Sequence, residues 1–134
     1  PGMVLYDLGS GTGDLLFYLS RKYNIKCVGI EISPILCIYS KFIALFNKGV
    51  IIKFGNFLKY ELNEADIIYV FLRPKFGNLL TDWINKQHLK NEVKILSAFW
   101  PIFGPDYTSY SGHSDGKNTY FLYNVKRLLV STNK

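Results

Sequence analysis

The residues best placed to do chemistry in this chain lie together near its start: Asp7-Leu8-Gly9-Ser10-Gly11-Thr12-Gly13-Asp14, entered through the apolar run Val4-Leu5-Tyr6. Three glycines in alternation allow backbone angles closed to other residues and let the main chain lie against a ligand with no Cβ in between. Asp14 then opens a helix, where exposed N–H groups and the dipole favour a carboxylate. Strand, glycine turn and helix in this order make a nucleotide-binding turn, and the spacing selects among nucleotides. A dinucleotide fold requires Gly-x-Gly-x-x-Gly, with the pyrophosphate on the helix N-terminus. Here the third glycine comes one residue early, and Asp14 stands where the dinucleotide pattern has glycine. A carboxylate there repels a diphosphate, which disfavours nicotinamide-dependent hydride transfer. A second acid, Glu31, follows Asp7 by 24 residues and closes the run Lys26-Cys27-Val28-Gly29-Ile30. At the end of a neighbouring strand in a doubly wound sheet, such a carboxylate can accept both hydroxyls of a ribose.

These groups need a scaffold, and the hydrophobic pattern describes one. Met3 to Leu8 is an apolar run ended by glycine, the pattern of a central parallel strand buried on both faces. Asp14 to Tyr23 places Leu15, Leu16 and Leu19 on one stripe and ends in Arg21-Lys22, cations that suit a helix C-terminus. Lys26 to Glu31 is a second strand. Ser33-Pro34 supplies a cap followed by proline at the first helical position, for a helix to about Phe46 that Lys48-Gly49 stops. Val50 to Gly55 is a third strand, leading into Asn56-Phe57. Ala65 to Leu72 is a fourth, left through Arg73-Pro74. Phe76 to Lys90 has helical spacing, with a break near Asn85, and Glu92 to Phe99 is a fifth strand. The aromatic and proline-rich loop Trp100 to Pro105 cannot continue a central strand. Asp106 to Lys117 is a long connection with room for a short edge strand near Tyr107 to Ser111, and Thr119 to Val130 is a last, antiparallel strand. Helices alternating with strands in this way give an α/β three-layer, doubly wound (Rossmann-like) fold with a mostly parallel sheet.

At 134 residues the chain is long enough for one domain with a core, 1–134, though short for a complete doubly wound enzyme. The net charge of +6 and pI near 9.3 are spread over pairs such as Arg21-Lys22 and Lys126-Arg127. The spread charge makes a solvated surface and not the clustered basic patch of a nucleic-acid protein. Cys27 and Cys37 form no disulfide framework and place the chain in the cytoplasm or another reducing compartment. No Cys or His spacing points to a metal, and no apolar run reaches membrane-spanning length.

Asp-x-Gly-x-Gly-x-Gly after apolar residues resembles the first motif of the class I S-adenosylmethionine-dependent methyltransferases. That cofactor carries an ammonium, a carboxylate, a sulfonium and a ribose and no phosphate, a mixture that bare amides and flanking acids suit. The resemblance implies the strand order 3-2-1-4-5-7-6, with strand six short or missing. It implies a cofactor site made of Asp7, Gly9, Ser10, Gly11, Thr12, Gly13, Asp14, Glu31, Ile32, Asn56, Phe57 and Phe71. Within it, Asp7 lies near the methionine ammonium, Glu31 takes the ribose and Ile32 lies beside the adenine. Asn56 replaces the acid that in this family often meets the adenine amino group. An amide oxygen still accepts that bond, more weakly.

A narrower likeness rests on Asp-Leu-Gly-Ser-Gly, on Glu31 ahead of a helix opening in proline, on Gly55-Asn56-Phe57 and on Phe99-Trp100-Pro101. Together these are similar to the small protein-lysine methyltransferases that modify the ATP synthase c-subunit and the adenine nucleotide translocator, and to their prokaryotic relatives. The implied partner is a protein. Those enzymes have a segment ahead of the first strand that anchors them to membranes and helps cover the cofactor. Pro1-Gly2 directly precedes the first strand here, so the expectation is a domain without that segment. Methyl transfer is an in-line displacement at an already activated carbon, for which proximity and exclusion of water suffice. An amine must also lose a proton, and the candidate acceptors are Asp106, Tyr107 and His113. Methyltransferases of exocyclic base amines carry an Asn/Asp-Pro-Pro-aromatic turn after strand four, whereas this chain has Phe71-Leu72-Arg73-Pro74. Methylation of a small molecule or RNA by the same fold, and a non-catalytic cofactor-binding or partner module, stay open as alternatives.

Overall fold

A computed structural model describes residues 2–101 and 109–126 of the chain. Its seven strands form one sheet in the order β3-β2-β1-β4-β5-β7-β6. The strands are β1 (Val4–Leu8), β2 (Lys26–Glu31), β3 (Val50–Phe54), β4 (Ile67–Val70), β5 (Glu92–Ala98), β6 (Ser109–Ser114) and β7 (Thr119–Lys126). β1 to β5 run parallel, and β7 pairs antiparallel with both β5 and β6. The helices are α1 (Asp14–Tyr23), α2 (Pro34–Ala44) and α3 (Gly77–Lys86). The three-layer α/β fold, the strand order and the antiparallel end are those the sequence and its resemblance imply.

Alternation along β1 sorts the core into two layers. Val4, Tyr6 and Leu8 face one side, where Ile68, Val70, Ile95 and the α3 residues Leu80 and Ile84 pack on them. Leu5 faces the other, against Leu16 and Phe17 of α1, Cys37 of α2, and Cys27 and Ile52 of the adjoining strands. Each layer takes side chains of a single strand parity because consecutive Cβ atoms leave opposite faces of a sheet. With both faces of its centre covered, the sheet leaves its strand ends as the place where polar groups can meet a ligand.

The local signals act where expected at both crossover helices. Gly13, in the left-handed region at φ 82°, launches α1, and Arg21 and Lys22 occupy its last turn. The Ser33 hydroxyl accepts the Leu36 N–H at the start of α2, with Pro34 at the first helical position. Two elements depart from the sequence reading. β4 is confined to Ile67–Val70, because the Asp66 carboxylate before it accepts the Val4 N–H at 2.8 Å and anchors the segment side-on. α3 ends at Lys86, and the next residue, Gln87, turns away to accept the Leu62 N–H at 3.1 Å. The sixth strand, expected as short or missing, is present over Ser109–Ser114 and pairs with β7 through its whole length. Ser, Gly and His give that stretch little strand propensity of its own, and its pairing depends on the partner strand. Asp115-Gly116 at the following turn is the hairpin signal that marks it. There the Asp115 carboxylate accepts the N–H groups of Lys117 and Asn118, and Gly116 sits at φ 85°.

Candidate functional site

The glycine turn is tied to β2 before it meets any ligand. The N–H groups of Gly9 and Ser10 both donate to the Ile30 carbonyl, at 2.9 and 3.1 Å, and Gly13 N–H closes the turn on Ser10 O at 2.9 Å. Gly11, at φ 57°, is the outermost point, and nothing lies within 4 Å of where its Cβ would stand. Its bare surface therefore faces open space, while its N–H donates to Glu31 Oε2 at 2.7 Å. The turn sinks this close to β2 because of Gly29, which the sequence reading passed over as an ordinary strand residue. A Cβ on Gly29 would stand 2.6 Å from Ser10 Oγ and 2.7 Å from Leu16 Cδ1. Pressed against that glycine, Ser10 Oγ is buried and has no hydrogen-bond partner among the described residues. Ser10 thus contributes its backbone, and its side chain packs inward.

Two carboxylates flank the turn at the strand ends, and both are buried, Asp7 at 4 % exposure and Glu31 at 6 %. Glu31 accepts from Gly11 through Oε2 and from the Ser33 N–H through Oε1 at 2.7 Å, so it joins the glycine turn to the start of α2. One lone pair on each oxygen remains for further donors. Asp7 sits between Gly29 of β2 and Tyr69 of β4. Burial, and secondly the Glu31 charge, pushes its carboxyl up to about 7. A buried acid held on that edge gains from a cationic donor, which would restore its ionised form. The same field acts on its neighbours: burial and then Asp7 raise the Cys27 thiol to about 11 and the Tyr69 phenol to about 12. Neither is an ionised nucleophile or base near neutrality. Asp14 is exposed and accepts the Thr12 hydroxyl at 2.8 Å, so it stiffens the turn from outside and does not line its bare face.

The walls come from the loops after β2, β3, β4 and β5. Ile32, 63 % exposed, follows Glu31 directly and offers an apolar surface beside it. Gly55 N–H donates to Glu31 O at 2.9 Å, which brings Asn56 to the same edge. Asn56 Oδ1 accepts Leu58 N–H at 3.0 Å as the cap of the short helical turn Phe57–Lys59, so its oxygen is already partly used. Phe57 turns away into the core, edge to face with Trp83 at 5.4 Å. Phe71, 59 % exposed at the end of β4, lies 5.2 Å from Phe99 beyond β5. Phe99 takes φ 67°, a conformation that costs a side-chain-bearing residue about 1–2 kcal/mol. Its N–H donates to Thr119 O at 2.6 Å, and the next carbonyl, that of Trp100, accepts Ser97 Oγ at 2.6 Å. These bonds hold the strained residue at the end of β5, on the same rim as Phe71. The aromatic residue ahead of Trp100-Pro101 was its only trace in the sequence.

The structure thus gathers Asp7, Gly9, Ser10, Gly11, Thr12, Gly13, Glu31 and Ile32 at the carboxyl ends of β1 and β2, with Asn56 and Phe71 on the flanking loops. His113 lies on β6, paired to Tyr120, which pairs in turn to Ala98 of β5. That places it roughly 10 Å from β5 along the sheet, and its Nε2 hydrogen-bonds with Ser111 Oγ at 3.2 Å. Asp106 and Tyr107 lie outside the described residues. No group of His, Cys, Asp and Glu among the described residues could hold a metal ion. The donor set fits a nucleoside bearing an amino acid: two buried carboxylate acceptors for ammonium and hydroxyl groups, bare amides between them and an apolar wall.

Comparison with known proteins agrees with this chemistry. The model of the ANTKMT methyltransferase domain family matches residues 7–108. A protein-lysine N-methyltransferase of Saccharolobus islandicus (strain REY15A) is 27 % identical over 126 residues, which cover 90 % of this chain and 76 % of that protein. Among solved structures, an RNA methyltransferase from Salinibacter ruber in complex with S-adenosyl-L-homocysteine superposes with a TM-score of 0.82 at 23 % identity, covering 96 % of this chain and 84 % of that one. M. jannaschii TYW2 in complex with AdoMet superposes with a TM-score of 0.73 at 16 % identity, covering 93 % and 69 %. The chain belongs to the ANTKMT methyltransferase domain family, within the class I S-adenosylmethionine-dependent methyltransferases.

Proposed function

We propose that the chain methylates the side-chain amine of a lysine in a protein substrate. The observation that carries the acceptor class is the likeness, over nine-tenths of the chain, to a protein named as a protein-lysine N-methyltransferase. The rim supports it. Phe71 and Phe99 present exposed aromatic faces beside an acidic mouth, a surface suited to the alkyl chain of a lysine and to its charge. Phe71-Leu72-Arg73-Pro74 stands where base-amine methyltransferases carry their Asn/Asp-Pro-Pro-aromatic turn.

S-adenosylmethionine, when bound, supplies a methyl group already activated by a sulfonium. What the chain supplies is position. Asp7 would hold the cofactor's ammonium and Glu31 its ribose hydroxyls, while Gly9 and Gly11 keep the contact surface free of side chains. Ile32 and Asn56 bound the adenine. Phe71 and Phe99 narrow the approach so that the amine meets the methyl carbon in line and with water kept out. For transfer the lysine ammonium would first give a proton to solvent or to an acceptor on the rim, and the carbon–sulfur electron pair would stay on the sulfur of the donor. Two buried free thiols fit a reducing compartment such as the cytoplasm.

Labelling a cell lysate with methyl-labelled donor and the chain tests the acceptor. The expected label is in a protein band, removed by protease and recovered as methyl-lysine after hydrolysis. Label confined to RNase-sensitive or small-molecule fractions overturns the lysine assignment.

A further inference from the structure

The outer face of α2 is apolar and uncovered. Ile35, Ile38, Tyr39, Phe42, Leu45 and Phe46 recur at three- and four-residue intervals, with Ile35 79 % exposed and Leu45 and Phe46 both 75 %. At 100° per residue they fall within about 120° of arc, away from Cys37 and Ser40, which are buried against the sheet. Phe42 and Phe46 meet edge to face at 5.8 Å, which joins the aromatic part into one surface. An aligned patch of this size marks an interaction site, unlike the single exposed residues found on any protein.

The charges along this part of the chain choose the partner. Between Leu15 and Tyr60 the chain carries seven cations, Arg21, Lys22, Lys26, Lys41, Lys48, Lys53 and Lys59, and one acid, Glu31, which is buried. The bases by themselves look evenly spread, but the exposed acids all lie outside this stretch. Lys41 follows Ile38 by three residues and precedes Leu45 by four, on the flank of the stripe. Of the seven, only Lys26 has an ion-pair partner among the described residues, Glu64 at 3.9 Å.

We propose that this face of α2 docks flat on an anionic lipid bilayer. Its apolar side chains enter the boundary between headgroups and acyl chains, and Lys41 on its flank, with Lys48 just past its end, meets the lipid anions. A second copy of the chain would bring two cationic faces together, and nucleic acid offers no counterpart to a mostly aliphatic stripe. No helix among the described residues is long and apolar enough to cross a membrane, so contact through α2 is interfacial. Ser33, the cap of α2, is bonded to Glu31, so docking sets the mouth of the cofactor crevice at the membrane surface.

Flotation with vesicles of phosphatidylcholine alone and of phosphatidylcholine with phosphatidylglycerol tests this without methyl donor or acceptor. Its failure therefore leaves the lysine reading untouched. The unaltered chain is expected to float with the anionic vesicles, less at high salt and little with the neutral ones. Ile38→Glu and Phe42→Glu, at exposed positions, should each lower that partition about tenfold or more. Calorimetry with S-adenosylhomocysteine checks that they remain folded, and the salt dependence of the unaltered chain needs no variant. Absence of flotation, or flotation that ignores lipid charge and both substitutions, overturns the proposal. So does dimerisation abolished by Phe42→Glu, or retention of RNA or of an acidic protein, without vesicle binding.

Discussion

Replacing Asp7 by Asn removes the most perturbed charge at the site while keeping its shape. Burial, reinforced by Glu31, lifts the Asp7 carboxyl from 3.8 to about 7. A difference of roughly three pH units is worth about 4 kcal/mol at most, at 1.36 kcal/mol per unit. Between those two values the folded chain holds a proton that the unfolded chain has released, so the free energy of unfolding falls as pH rises through the window. Below about 4 both states are protonated and the penalty is absent, and above about 7 it is complete. The amide of the variant cannot ionise. The stability difference between Asp7→Asn and the unaltered chain should therefore grow in the variant's favour from pH 5 to pH 8, by about 2.5 kcal/mol, on top of any constant cost of burying the amide. Cofactor binding should move the opposite way. If Asp7 grips the ammonium, the ionised form is the competent one, and affinity for S-adenosylhomocysteine should rise about tenfold per pH unit up to about 7 and then level. The variant should bind weakly at every pH. Urea unfolding and calorimetry across pH 5 to 8 measure both. Parallel stability curves for the two proteins would refute the argument from burial, and pH-independent binding would refute the role given to Asp7.

Glu31→Gln should cost on the order of 1.5–3 kcal/mol of S-adenosylhomocysteine affinity, because a charged acceptor is lost. It should also lower the pH at which Asp7 titrates, since its negative neighbour is gone, and the stability profile reads that shift. Gly11→Val should abolish detectable binding in calorimetry, since the new side chain fills the ligand's approach, and should also lower stability in urea unfolding, since a β-branched residue is strained at φ 57°. Gly29→Ala is the converse case: its Cβ would collide with Ser10 and Leu16, an overpacking that should cost about 1–3 kcal/mol in urea unfolding whether or not ligand is present. Phe99→Ala should leave S-adenosylhomocysteine affinity unchanged and reduce kcat/KM for the protein substrate about tenfold or more; an unchanged kcat/KM removes the rim from acceptor recognition.

What was legible in the sequence is what nearest neighbours along the chain decide. α1 and β2 begin and end where their periodicity, glycines and caps place them, and the glycine turn with Glu31 beyond it is a linear pattern. Elements that depend on distant partners are less sharply bounded in the sequence. β6 has the composition of a loop and is a strand only because β7 offers it a ladder, and α3 stops where Gln87 finds Leu62. The site divides in the same way. Asp7, Gly11 and Glu31 are named from the glycine spacing and the resemblance, and the structure brings them together at one sheet edge. Phe57 could not be seen to turn onto Trp83, nor Phe99 to be forced into a left-handed conformation over Phe71.

By itself the sequence pointed to the class of ligand, because alternating glycines one residue short of the dinucleotide spacing, with acids at two strand ends, suit a nucleoside without phosphates. Only the tertiary structure decided how those groups behave. The titration of Asp7, the need for glycine at position 29 and the uncovered face of α2 arise from what stands within a few ångströms of each. Those neighbours come from strands and helices far apart in the chain, which no local pattern encodes.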